Sequence, residues 1–268
     1  MKKFLLSTVA LSAVSFGVSA RSYMVVNRSD GADSDTFNVS KISEVTFFEV
    51  EDPVQGGVTI SGSVGAYTYV DLGLPSGTKW ATYNLGTNTP LEKGDYYAWG
   101  ETKPKGSYTN ANYKYWDADN KAYTKYVSGT EANPAILEAA DDAATANWGA
   151  TWCMPTDEQW EELIKNVTFK QVADFNETGV SGYLGTSKQN GSTIFFPGTG
   201  YSAGNKGTEG YAYYWTANSY DKAKATAYGN AGYWAKNTAC TRYMGLCIRP
   251  VVSSAKNWKP TVTDSKGI

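Results

Sequence analysis

The chain has 268 residues, with 24 basic and 26 acidic side chains, three cysteines and no histidine. Its mild net charge of −2 argues against nucleic-acid binding, which needs a concentrated basic surface. The lack of histidine excludes Ser-His-Asp and Cys-His catalysis in their usual form. It also excludes zinc, copper and iron sites built on imidazole ligands. An enzyme made from this sequence would have to use carboxylates, tyrosine, lysine or cysteine.

The first twenty residues are typical of a secretion signal. Lys2 and Lys3 form a basic start, residues 4–18 are mostly apolar, and residues 18–20 form a small-residue cleavage site. The apolar stretch is too short for a convincing membrane span. We therefore expect residues 1–20 to be a signal peptide and the mature chain to have no membrane span. The expected location is the periplasm, the cell surface or the extracellular space.

A small β element is predicted directly after the signal peptide, at residues 21–52. Strand-like composition occurs at 23–27, 37–39 and 45–50, with a polar Asp/Gly turn at 28–35. We expect this element to pack on the main domain, because so short a unit buries little surface alone. A docking segment is the alternative.

The main domain is predicted at residues 67–251, between a glycine- and serine-rich linker at 53–66 and a polar tail at 252–268. Helices are predicted over 134–147, which is rich in alanine, and over 156–166. Strands are predicted, in chain order, at residues 67–72, 79–85, 180–184, 193–196, 211–217, 224–228 and 246–251. Early helices followed by a run of strands indicate an α+β fold.

The segment at residues 156–166 carries the clearest local signals. Thr156 is a favourable helix N-cap, and Gln159 stands three positions later, which makes a capping box. Trp160 opens an apolar stripe that continues at i+3, i+4 and i+7. An amphipathic helix whose tryptophan faces a large core is therefore predicted.

Two further features concern acidic and cysteine residues. Asp141 and Asp142 are adjacent, so they do not share a helix face, and we expect them to cap a helix and face solvent rather than bind a cation. Cys153, Cys240 and Cys247 allow at most one disulfide in an exported chain and leave one thiol over. Which pair forms, if any, is left open by their spacing.

A series of motifs covers nearly all of residues 67–251. In chain order they are Y-V-D-L-G-L-P-S-G-T-K-W-A-T-Y-N-L-G at 69–86, G-D-Y-Y-A-W-G-E-T at 94–102, W-G-A-T-W-C-M-P-T-D-E-Q-W at 148–160, F-F-P-G-T-G-Y at 195–201, Y-Y-W-T-A-N-S-Y at 213–220 and R-Y-M-G-L-C-I-R-P-V at 242–251. This series resembles the Fibrobacter succinogenes major paralogous domain of exported Bacteroidetes proteins. The resemblance implies a C-type lectin-like fold with two helices and short, mostly antiparallel strands. Cys153 departs from the family pattern, in which arginine is common.

The aromatic and asparagine-rich region after Trp215 is the candidate ligand site. Tyrosine, tryptophan and asparagine are frequent in recognition loops, because rings supply contact area at small entropic cost. In C-type lectin-like folds this region carries ligand-binding loops. The candidate residues are Trp215, Asn218, Tyr220, Asp221, Tyr228, Tyr233, Trp234, Asn237 and Arg242. The alternative is that half of the rings belong to the core.

A calcium site and a copper-binding pair of thiols are the two other kinds of site to consider. Trp215, Asn218 and Asp221 loosely resemble the calcium-binding Asn-Asp pair of true C-type lectins, but two or three oxygen ligands do not make a calcium cage. Formylglycine-generating enzymes, which are distant relatives of the family, hold copper with a close pair of thiols. Cys247 does not lie where that pair sits. We therefore expect no cofactor and no enzyme activity, with calcium kept as the alternative cofactor.

The expected function is an exported, non-enzymatic binding or adhesion module that presents aromatic loops to a glycan or protein ligand. A structural cell-surface or fimbrial component is the first alternative. A formylglycine-generating type of oxidase is the second alternative.

Overall fold

The computed structural model describes residues 10–12, 23–26, 35–38, 57–130, 135–203, 206–208, 211–230 and 232–252. The chain divides into two compact units, residues 1–50 and 51–268. In the first unit, strands β1 (Ala10–Ser12), β2 (Tyr23–Val26) and β3 (Asp35–Asn38) form an antiparallel sheet in that order. Two of the predicted strands overlap β2 and β3, and the predicted strand at 45–50 lies outside the described residues. β1 falls within the predicted signal peptide, which stays a prediction.

The second unit combines two helices with short strands. The helices are α1 (Ala143–Trp148) and α2 (Asp157–Asn166). The strands are β4 (Gly62–Val64), β5 (Tyr67–Val70), β6 (Lys79–Ala81), β7 (Trp116–Asp117), β8 (Ala122–Tyr123), β9 (Trp152–Cys153), β10 (Val167–Val172), β11 (Gly182–Ser187), β12 (Thr193–Pro197), β13 (Tyr201–Ala203), β14 (Lys206–Thr208), β15 (Ala212–Ser219), β16 (Lys224–Asn230), β17 (Trp234–Thr241) and β18 (Val251–Val252). All pairings between these strands are antiparallel. The predicted α+β class is confirmed.

Three sheets form the framework of this unit. Their strand orders are β4-β5-β6-β18-β9, β10-β11-β12 and β15-β16-β17. β18 lies between β6 and β9, and its Val251 pairs with Trp80 on one side and Cys153 on the other. The beginning and the end of the unit therefore share one sheet.

Helix α2 begins as its sequence predicts. The side chain of Thr156 accepts the N–H of Gln159 at 3.4 Å, and the Gln159 side chain accepts the N–H of Thr156 at 2.9 Å. Trp160 is fully buried, with its ring 4.9 Å from the ring of Trp80 and 5.2 Å from that of Trp234. Trp160 of the capped helix α2 therefore lies at the centre of an aromatic core.

A second buried group, the guanidinium of Arg249, joins the sheets from inside. It donates to the Asn84 side-chain oxygen at 2.7 Å and to the carbonyls of Phe195 at 2.9 Å and Ala81 at 3.2 Å. It also stands 4.4 Å from the centre of the Phe196 ring. Arg249 therefore connects β6, β12 and the segment before β18.

The helix predicted over 134–147 is wrong in its first half. Only α1 is helical, and the residues before it run beside β15, where the N–H of Leu137 donates to the Ala217 carbonyl at 3.0 Å. Asp142 ends this run, because its carboxylate accepts the N–H of Thr145 at 2.9 Å and caps α1. Alanine content favours helix, but an open strand edge supplied other backbone partners.

Asp141 and Asp142 are buried, so their expected exposure to solvent is wrong, whereas Asp142 does cap a helix. Asp141 is 3% exposed and accepts hydrogen bonds from Lys114 at 2.8 Å, Lys125 at 2.5 Å and the Tyr126 hydroxyl at 2.6 Å. Burial opposes its charge, but hydrogen bonds from the two lysines outweigh burial and hold its pKa well below the usual value. Burial raises the pKa of Asp142 to about 6. The two carboxylates therefore have different environments and different partners.

Replacement of Asp141 tests the strength of this ionic cluster. Asp141→Asn should lower the free energy of unfolding by about 2 kcal/mol near neutral pH, because both lysines lose their buried counterion while keeping partial exposure. Asp141 has a depressed pKa in the folded state, so its contribution is complete above the unfolded-state pKa of about 4 and falls as pH drops toward the folded-state value. Urea unfolding of both proteins at several pH values measures this difference.

The gap between Asp141→Asn and the parent should narrow as the pH is lowered from about 5 to about 3. Asp119→Asn is a matched control, since Asp119 is an exposed carboxylate in the same loop region. A gap that stays constant with pH, or one that the control reproduces, would contradict the assigned role of Asp141.

Candidate functional site

The nine candidate residues lie in very different environments. Tyr233 is 77% exposed, at the tip of the hairpin between β16 and β17, and Tyr220, Asp221 and Asn237 are half-buried. The other five are buried: Trp215, Asn218, Tyr228, Trp234 and Arg242. The four exposed or half-buried residues can therefore contact a dissolved ligand directly, whereas the five buried residues cannot.

The buried rings lie on both faces of the β15-β16-β17 sheet. Tyr228 and Trp234 belong to the core that surrounds Trp160. Trp215 belongs to a second core, with Leu85 and Trp99. Since neighbouring residues of a strand point to opposite faces, the sheet separates these two cores.

Asn218 and Asp221 use their side-chain oxygens inside the protein. The Asn218 oxygen accepts the N–H of Asp157 at 3.1 Å, at the start of α2. The Asp221 carboxylate accepts the N–H groups of Ala223 at 2.7 Å and Lys224 at 2.8 Å, in the turn before β16. Within the described ranges, no group of three or more acidic or cysteine side chains converges on a metal position. The oxygen atoms that resembled part of a calcium site thus have structural roles.

Arg242 holds two loops together from a position with no exposed surface. Its guanidinium donates to the carbonyls of Lys125 at 2.9 Å, Tyr126 at 2.7 Å and Asp221 at 2.6 Å, and it stands 4.8 Å from the centre of the Trp99 ring. Burial lowers the pKa of Arg242 from its usual value. Arg242 therefore positions the surrounding loops and does not face a ligand.

The three cysteines are buried, and none of them is in a disulfide. Cys153 and Cys247 lie in the core around Trp160, whereas Cys240 lies on the opposite side of the β15-β16-β17 sheet. Burial raises the pKa of Cys240 to about 12 and also raises that of Cys247. Both thiols are therefore protonated near neutral pH and are poor nucleophiles. The pairing that the sequence left open is settled, since no disulfide joins these three residues.

A cleft of about 240 Å³ opens on the second face of this sheet. β13 and β15 each supply a tyrosine, β17 supplies an amide and a thiol, and the segment after β17 supplies two apolar side chains. The lining residues are Tyr201, Tyr213, Asn237, Cys240, Met244 and Leu246. Among the nine candidates, Asn237 belongs to this lining. We call this feature the tyrosine cleft.

The register of the sheet explains how this cleft forms. On the central strand β16, Ala227 pairs with Asn237 and Gly229 pairs with Tyr213. A Cβ atom on Gly229 would lie 2.7 Å from Cε1 of Tyr213, so the tyrosine ring lies directly over the glycine. The small residues Ala227 and Gly229 on β16 thus leave room for the Tyr213 ring, which lies across the sheet and forms one wall of the cleft.

A row of three tyrosines connects the cleft with the surface. The rings of Tyr201 and Tyr213 meet edge to face, with centroids 5.6 Å apart and an interplanar angle of 87°. Tyr211 contacts Tyr213 at 6.5 Å and is 46% exposed. Because Ala212 pairs with Asn230 and Asn230 pairs with Trp234, Tyr211 and the exposed Tyr233 lie at the same end of the sheet. The two exposed tyrosines therefore lie at the hairpin end of this sheet.

Sequence reasoning missed most of the cleft for two reasons. The candidate region began at Trp215, so Tyr201 and Tyr213 fell before it. β17 was not predicted as a strand, so the shared face of Asn237 and Cys240 could not be recognised. One signal was available in the sequence. Residues along β15 alternate between two faces, and the small residues of β16 opposite them leave room for a ring.

Comparison with known proteins identifies no relative of this chain. No family model, curated protein or solved structure matches it. In the described part of the chain, no helix is long and apolar enough to cross a membrane. Proposals about its family and function therefore depend on its own motifs and geometry.

Thiol labelling tests the position of Cys240 in the cleft wall. A small uncharged reagent such as methyl methanethiolsulfonate should modify Cys240 before Cys247, because Cys240 lines the cleft and Cys247 is fully buried. Labelling should be slow near neutral pH and rise about tenfold per pH unit, since the thiolate reacts. Peptide mapping by mass spectrometry after timed exposure measures both rates.

The denatured chain is the control, in which all three cysteines should react at similar rates. Equal rates in the folded protein, or faster reaction of Cys247, would show that Cys240 does not line an accessible cleft.

Proposed function

We propose that this chain is an exported, non-enzymatic binding module that holds part of a glycan or protein ligand in the tyrosine cleft. The observation that carries the proposal is the cleft itself, with its continuous row of Tyr201, Tyr213 and Tyr211. Concave aromatic surfaces with a few polar groups are the usual form of ligand sites. Tyrosine is well suited to recognition, because its large amphipathic ring has few rotatable bonds.

The proposed family is the Fibrobacter succinogenes major paralogous domain, with its C-type lectin-like fold. The order of the sequence motifs supports this assignment, as do the antiparallel sheets and the two helices. The pairing of β18 with β6, which brings both ends of the unit into one sheet, agrees with a self-contained domain.

A non-enzymatic role is supported by the chemistry of the reactive groups. The sequence has no histidine, and the Cys240 thiol in the cleft is protonated because burial raises its pKa to about 12. Asp141 is neutralised by two lysines, and Asp142 caps α1. These groups have internal partners or an unreactive form, which favours binding over catalysis.

The expected ligand contact is tested by removal of a cleft wall. Tyr213→Ala should weaken binding to any ligand found on glycan or protein arrays by about tenfold or more, because a large ring that fills a contact contributes about 1.5 kcal/mol or more. Tyr69→Ala is the matched control, since Tyr69 is a half-buried strand tyrosine outside the cleft. Surface plasmon resonance on the detected ligand measures both affinities.

If Tyr213→Ala binds every detected ligand as tightly as the parent protein while remaining folded, the cleft is not the site. If no ligand is detected and the purified chain assembles into filaments, the structural cell-surface function is favoured instead.

A further inference from the structure

We infer that the tyrosine cleft binds one uncharged sugar residue, a pyranose ring without carboxylate, sulfate or amine groups, and does so without a metal ion. This inference rests on the proposed binding function and names the ligand group that the cleft accepts. It follows from the charge of the lining, its hydrogen-bonding groups, its ring geometry and its size.

The lining of the cleft is electrically neutral. Its six side chains are tyrosine, asparagine, cysteine, methionine and leucine, none of which is charged at neutral pH unless its pKa is strongly lowered. Burial instead raises the pKa of Tyr213 and that of Cys240. A charged ligand group would lose its hydration without gaining a counterion, which costs several kcal/mol. The cleft therefore selects against acidic and basic ligands.

The polar groups of the lining favour a sugar over an aromatic peptide side chain. In the part of the chain that the structure describes, no side chain or backbone group hydrogen-bonds to the hydroxyl of Tyr201 or of Tyr213. Asn237 adds an amide that both donates and accepts. An apolar ring bound against the two tyrosine hydroxyls would cover them without pairing them, at a cost of about 1–3 kcal/mol for each one buried. Sugar hydroxyl groups can pair with both tyrosine hydroxyls, and the Asn237 amide borders the same cleft.

The shape of the cleft suits a pyranose ring, which has a C–H face and a hydroxyl edge. Tyr201 and Tyr213 stand nearly perpendicular at 87°, so a ligand can lie against one ring face while its edge meets the other side chain. Met244 and Leu246 supply apolar surface. The volume of about 240 Å³ lies below the range of drug-sized pockets, which begins at roughly 300 Å³. One sugar ring is therefore the expected occupant, and Tyr211 is placed to contact the next.

Binding should be independent of divalent cations. Calcium takes six to eight oxygen ligands and usually several carboxylates, whereas the lining contains no acidic residue. The inference thus departs from the calcium-dependent sugar site that the sequence loosely suggested near Asp221.

The experiment uses the full chain without its predicted signal peptide and defined small probes. Neutral probes are the methyl glycosides of glucose, galactose, mannose and N-acetylglucosamine. Acidic probes are glucuronic acid and N-acetylneuraminic acid, and N-acetyltyrosine amide represents a peptide side chain. Saturation-transfer NMR and calorimetry, each with EDTA or with calcium, measure binding. At least one neutral glycoside should bind with about millimolar affinity, equally in both conditions and more tightly than the acidic and peptide probes.

The double variant Tyr201→Phe with Tyr213→Phe locates the interaction, since it keeps both rings and removes both hydroxyl groups. We expect about tenfold weaker binding of the neutral glycoside, because two hydrogen bonds are lost. Tyr233→Phe is the matched control, since it removes an exposed tyrosine hydroxyl outside the cleft. The bound glycoside should also slow the labelling of Cys240, and thermal unfolding should show that both variants remain folded.

Several results would overturn the inference. These are binding of no neutral glycoside, preference for an acidic or peptide probe, loss of binding in EDTA, or unchanged affinity in the double Phe variant. If the chain instead binds a charged glycan or a protein and Tyr213→Ala abolishes that binding, the proposed function stands and the sugar inference falls. If Tyr213→Ala leaves every detected interaction unchanged, both fall.

Discussion

The structure of the main unit depends on the burial of two guanidinium groups, Arg242 and Arg249, against main-chain carbonyls. Neither has exposed surface, and within the described ranges no salt bridge involves either one. A buried cation without a partner would be strongly destabilising. Carbonyls of β6, β12 and two loops supply the partners instead, and burial lowers the pKa of Arg249 only to about 10. Arg249 therefore stays charged near neutral pH, and segments distant in sequence meet around the two guanidinium groups.

Arg242 connects this constraint with the tyrosine cleft. Its carbonyl accepts the N–H of Trp99 at 2.9 Å, and its guanidinium holds the loops at Tyr126 and Asp221. Met244, which lines the cleft, lies two residues further along the chain. The sequence pointed to Arg242 as a ligand contact, whereas its burial makes it a residue that positions others. Hydrogen bonds of Arg242 thus stabilise both the core around Trp99 and the loops beside the cleft.

Sequence patterns predicted the elements whose formation depends mainly on residues close together in the chain. The Thr156–Gln159 capping box and the stripe that begins at Trp160 predicted α2, and strand-like patterns located about half of the described strands and the α+β class. The expected solvent exposure of Asp141 and Asp142 was wrong, because lysines of a distant loop pair with Asp141 and because Asp142 is buried where it caps α1. The cleft was missed for the same reason: Tyr201, Tyr213 and Cys240 meet only when β13, β15 and β17 are assembled. Alternation along β15 indicates which of its residues share a face, but it does not identify their partners on other strands.

The role of Arg242 in holding the loops is tested most directly by amide hydrogen exchange in Arg242→Lys. This variant keeps the charge but loses the planar fork of donors. Exchange should accelerate in three segments, around Tyr126, around Asp221 and at Met244, while α2 keeps the protection of the parent protein. Such a pattern would mean that carbonyl bonds to Arg242 hold the loops and one wall of the cleft. Unchanged exchange at these segments, or equal acceleration throughout the unit, would contradict it.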